Sequence, residues 1–74
     1  MTSPSLPTRL EAILYLKGRP VSIGELAELA DSDRRSVEEA LVALTASYAQ
    51  RDSALEVVEQ SGRYGLQLRP GMGD

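Results

Sequence analysis

The sequence predicts an α+β fold, mainly α, with three helices and a small β-wing. Two observations carry this. Apolar residues recur at helical spacing in three stretches before residue 51, and after Asp52 the period switches from helical to two. A third observation fixes the connections: each helical stretch is bounded by residues that cap or break helices.

Residues 1–6 read as a flexible lead. Helix one is expected to start near Pro7 or Thr8, since proline suits a first turn and Thr8 with Glu11 has capping-box spacing. Leu10, Ile13 and Leu14 then form one face, and Gly18 is placed to end the helix. Pro20 cannot continue it, and Val21 suits a short extended piece. Ser22 opens helix two, with Glu25 completing a second capping box in "SIGE". Leu26, Leu29 and Ala30 give that helix its expected buried side.

"DSD", residues 31 to 33, is a tight turn in which Asp31 or Ser32 is expected to cap helix three. Val37, Leu41, Leu44 and Tyr48 follow on one clean face. Residues 54–60 and 63–69 alternate about Ser61 and Gly62, which reads as a β-hairpin. Two helices joined by a short turn and followed by a hairpin make a winged helix-turn-helix over residues 7–70, with Val21 in a third small strand. Residues 71–74 are a tail, or the start of a linker to a second domain.

A chain of 74 residues is one domain at most. So small a domain buries about 60% of the surface its unfolded chain exposes, and it commonly needs a staple. The sequence has no Cys and no His. Disulfides and a Cys/His zinc site are therefore excluded, and a partner surface is the staple that remains. No cofactor or metal is expected: "DSD" lacks the rest of a calcium loop, and the glycine-containing stretches lack phosphate-loop spacing. Catalysis is not expected either, because Lys17 is the single lysine and no base stands beside a nucleophile. No membrane span and no signal peptide are visible, and the reading is cytoplasmic.

Helix three occupies the place of a DNA-reading helix, with Arg34 and Arg35 at its start and Arg63 at the wing tip. Its outer face, however, carries Arg35, Glu38, Glu39, Val42, Ala46 and Ala49. Only Arg35 could donate to a base there, and the two glutamates would meet phosphates. The formal net charge of −3 argues against direct nucleic-acid binding. The plainer reading pairs Arg34 and Arg35 with Glu38 and Glu39 at i+4. Val42, Ala46 and Ala49 form a second apolar stripe suited to another helix. On helix one, Ala12, Tyr15 and Leu16 lie away from the core face, and they are the expected dimer contact.

"LEAILYLKGRPVSIGELAEL", residues 10 to 29, resembles the start of segregation and condensation protein B (ScpB), with Gly18, Pro20, Val21 and Ser22 in the family's pattern. "SVEEALVAL" followed by Tyr48 is similar to its acidic third helix. "LEVVEQSGRYGLQLRP" is similar to its wing, through Leu55, Val57, Gly62, Tyr64, Leu66, Arg69 and Pro70. The resemblance spans roughly residues 8 to 70. It implies a homodimerising winged-helix domain of a bacterial SMC–kleisin complex, acting in chromosome condensation and partition during cell division. The partners it implies are the kleisin ScpA and the SMC ATPase, engaged through a full-length protein with a second winged-helix domain, and it implies nucleoid association through the complex. The alternative is a winged-helix transcriptional regulator that binds DNA through Arg34, Arg35 and Arg63.

Overall fold

The computed structural model describes residues 4–71. Of the expected lead and tail, residues 1–3 and 72–74 lie outside the described residues. The chain runs α1 (Leu6–Lys17), β1 (Val21–Ser22), α2 (Ile23–Ala30), α3 (Arg34–Gln50), β2 (Leu55–Gln60) and β3 (Arg63–Leu68). The strands form one antiparallel sheet in the order β1-β3-β2. This is the winged helix-turn-helix that the sequence predicts.

α1 starts earlier than its spacing suggests. Ser5 caps it, its Oγ accepting from the Thr8 amide at 3.4 Å, and Pro7 sits inside the first turn. The extra residue is Leu6, which packs against the core and draws the helix start with it. Glu11 takes no part in a capping box. Its carboxylate accepts from the Tyr48 hydroxyl and pairs with Arg51 at 3.4 Å. Gly18 ends the helix at φ 64°, its amide donating to Leu14. A left-handed residue is what this kind of cap requires.

Ser22 caps α2 as expected, accepting from the Glu25 amide at 3.2 Å. The Glu25 side chain turns the other way, to Lys17 at 3.3 Å and Arg19 at 3.2 Å, and so ties α2 back to the end of α1. The hydrogen bond from Lys17 does most to hold its carboxyl below the ordinary range. Leu29 is 49% exposed rather than buried. The inner line of α2 is Leu26, Ala27 and Ala30, with Ile23 half-buried. At about 100° per residue Leu29 falls roughly 110° from the centre of that line.

The cap of α3 is Asp33, not Asp31 or Ser32. Asp31 adopts φ 53° and closes α2, so it cannot also open α3. Asp33 accepts from the Ser36 amide at 3.0 Å and the Ser36 hydroxyl at 2.7 Å. These bonds, the hydroxyl's foremost, hold the Asp33 carboxyl below its ordinary 3.8. A depressed carboxyl contributes stability above its unfolded value and loses it as pH falls through the folded one. Urea midpoints should therefore drop below about pH 4, and Asp33→Asn, which keeps the cap, should flatten part of that decline.

In the wing, Ser61 (φ 54°) and Gly62 (φ 78°) make a two-residue turn with both residues left-handed. That is the type I′ geometry whose twist matches paired strands. The register sets Val57 opposite Leu66 and Glu59 opposite Tyr64. Ala54 and Arg69, expected inside the strands, lie just beyond them and still share a bond of 2.8 Å. The core joins Leu10 and Leu14 of α1, Val21, Leu26 of α2, Val37, Leu41, Leu44 and Tyr48 of α3, and Val57 of the wing.

Candidate assembly surface

Leu10 and Leu14, one turn apart, fix the inner side of α1 and are buried. The remaining geometry follows: Tyr15 and Leu16 lie on the other side and are 73% and 79% exposed. Ala12, one turn before Leu16, is exposed beside them. The three sequence-predicted contact residues thus share one surface, and no other element of the described chain covers it. Exposed apolar side chains scattered singly need no explanation; two large ones side by side on one helix do. Lys17 and Arg19 follow directly, and both are already paired with Glu25. Arg9, one turn before Ala12, is exposed as well and donates to the Ala30 carbonyl at 3.1 Å, with no ion pair among the described residues.

The second apolar stripe is also solvent-facing. Val42 is 71% exposed, and Ala46 and Ala49 are exposed with it. These three line one side of a groove of about 400 Å³, whose other side is Val57, Val58 and Tyr64 of the wing. Glu38 and Glu59 also line it.

Arg34, Arg35 and Arg63 are all exposed. Arg35 pairs with Glu39 at 3.7 Å across one helical turn, in solvent, where such a pair contributes little. Arg34 has no ion pair among the described residues, so its expected pairing with Glu38 is not formed.

One cluster escaped the sequence reading. Arg51 stacks on the Tyr48 ring at 4.0 Å while pairing with Glu11. Burial, then the bond to Glu11, pushes the Tyr48 hydroxyl above its ordinary 10.0. Arg69 donates to the carbonyls of Tyr48, Arg51 (3.2 Å) and Leu55 (3.2 Å). The signal available was a helix with no basic residue in its last turn and an extended Arg51 after it, leaving carbonyls that need a donor from elsewhere.

Among the described residues, no group of three or more His, Cys, Asp or Glu is placed to hold a metal ion, and no helix is long and apolar enough to cross a membrane. A family model described as segregation and condensation complex subunit ScpB matches residues 8–74. A comparison with curated proteins found no match.

Proposed function

The chain belongs to the family of the segregation and condensation complex subunit ScpB, and from that premise we propose that it is a non-catalytic, self-associating assembly domain whose contact surface is Ala12, Tyr15 and Leu16. Family membership implies a complex with ScpA and SMC in general. Within such a complex the domain acts in chromosome condensation and partition, in the cytoplasm and on the nucleoid, without gripping DNA itself.

The observation that carries this reading is the adjacent exposure of Tyr15 and Leu16 on a helix whose opposite side is buried. Burying one such side chain is worth about 1.5–3 kcal/mol. In a two-fold contact each residue counts twice. Tyr15→Glu would place two carboxylates in that contact. It is expected to weaken self-association about 100-fold or more, equivalent to at least about 2.7 kcal/mol, while leaving the helical circular dichroism intact. Sedimentation equilibrium over a concentration series reads this directly. A variant that associates as tightly as the parent would remove Tyr15 from the interface.

The second reading is a DNA-binding regulator. It is favoured by Arg34 and Arg63, exposed and without an ion pair among the described residues. It requires duplex binding that falls steeply with salt and is lost in Arg→Ala variants. The carboxylates of Glu38 and Glu39 on the same exposed face of α3 support the assembly reading instead.

A further inference from the structure

We propose that the groove between α3 and the wing takes an extended peptide segment of a partner protein, which pairs with the free edge of β2 and carries lysine or arginine beside apolar residues at alternate positions. The groove shares no residue with the α1 surface, so this inference stands apart from self-association through Tyr15.

The strand order leaves β2 at an edge, paired only with β3. The backbone pattern shows which of its groups are open. A two-residue type I′ turn makes the flanking residues, Gln60 and Arg63, a hydrogen-bonded pair. Alternation then turns the amides and carbonyls of Val58 and Glu56 toward β3. The bond from the Arg69 amide to the Ala54 carbonyl, at 2.8 Å, falls on the same alternation and confirms the phase. Leu55, Val57 and Glu59 consequently point outward. Leu55 is satisfied: its amide donates to Ser53 Oγ at 3.1 Å and its carbonyl accepts from Arg69 Nε at 3.2 Å. The amides and carbonyls of Val57 and Glu59 have no partner among the described residues.

Both open residues border the groove, whose α3 side is the exposed Val42, Ala46 and Ala49. A second depression toward Arg69 also borders Thr45, Ala49 and Val57, so it adjoins the first along the strand. From Glu38 to Ala49 the first groove follows α3 for about 16 Å, the length of about five extended residues. Main-chain pairing gives such an edge its affinity, and pockets for alternate side chains give it specificity. The apolar wall suits the alternate side chains. Charge selects the rest: Glu38 and Glu59 line the end away from Arg69, and no cation lines that groove. A basic segment is favoured there and an acidic one repelled.

The test uses the 74-residue chain, labelled with nitrogen-15, and two capped hexapeptides, one alternating lysine with valine and one alternating glutamate with valine. The lysine peptide is expected to slow exchange of the Val57 and Glu59 amides saturably, leaving Val58 and Gln60 unchanged. The glutamate peptide should do neither. Ala46→Gln, which fills the apolar wall at an exposed helical site without adding charge, should weaken the lysine peptide by about tenfold, as a loss of about 1.4 kcal/mol would. Glu38→Lys should narrow or reverse the preference between the peptides. Three results would overturn the proposal: no saturable slowing at those two amides, equal effects of both peptides, or slowing that tracks chain concentration without peptide. The last would assign the edge to a second copy of the chain.

Discussion

Leu14→Ala is expected to remove about 3–4 kcal/mol of folding stability, about a quarter of the total or more. Leu14 is buried on α1, in the core where α1 packs on α3, and its carbonyl accepts the closing bond from Gly18. Truncating a fully buried leucine costs about 3–4 kcal/mol, since the hole collapses only in part. At about 0.05–0.15 kcal/mol per residue, a chain of this length holds about 4–11 kcal/mol in all. The substitution therefore removes a large share of the stability, and urea unfolding followed by circular dichroism should show the midpoint moving sharply down. Leu16→Ala, the same chemical change two residues on, should alter stability by no more than about 0.5 kcal/mol when both chains are unfolded at a concentration low enough to keep them monomeric, because that side chain then faces water. Equal effects of the two would mean that α1 is not oriented as described.

Arg69→Ala is expected to cost about 2 kcal/mol, less than its three carbonyl contacts would suggest from charged hydrogen bonds in isolation. Arg69 is only partly buried, so water replaces some of what the guanidinium supplied. The loss is concentrated at the end of α3, which has neither a glycine cap nor a basic residue in its last turn. For a domain of this size the melting temperature should fall by roughly 8–16 °C. Arg69→Lys restores the charge but not the planar fork that reaches several carbonyls at once. It should recover less than half of the loss.

These two residues also mark what can be read from a sequence and what cannot. The inward role of Leu14 was legible, because Leu10 and Leu14 recur at helical spacing and local periodicity decides which side of a helix is apolar. The wing was legible for the same kind of reason, through alternation around Ser61 and Gly62. The exposure of Tyr15 and Leu16 followed once the inner face was known. Arg69 was visible only as part of a resemblance, since its partners lie 14 to 21 residues away and are joined to it by the fold alone. Glu11 has the spacing of a cap yet serves Tyr48 and Arg51, because a tertiary partner outcompeted the local one. The choice among residues 31 to 33 as the cap of α3 failed for a related reason: ending α2 took Asp31 into the left-handed region first. The stripe Val42, Ala46 and Ala49 was legible as apolar, but the groove beside it depends on how closely the wing approaches α3.

The strand β1 is two residues long, with Val21 opposite Tyr64 and Ser22 opposite Arg63. Tyr64 belongs to the groove wall, while Ser22 caps the helix that holds Lys17 and Arg19 at the end of α1. The two exposed surfaces are thus joined through this pair of rungs as well as through the packing of α1 on α3 and the bond from Tyr48 to Glu11. Any cooperativity between occupants of those surfaces must be reciprocal: if a ligand on the wing changes the affinity of the α1 face by some factor, a ligand on the α1 face changes the wing by the same factor. A short strand that contributes little area is in this sense one of the places where the domain ties its two surfaces into a single body.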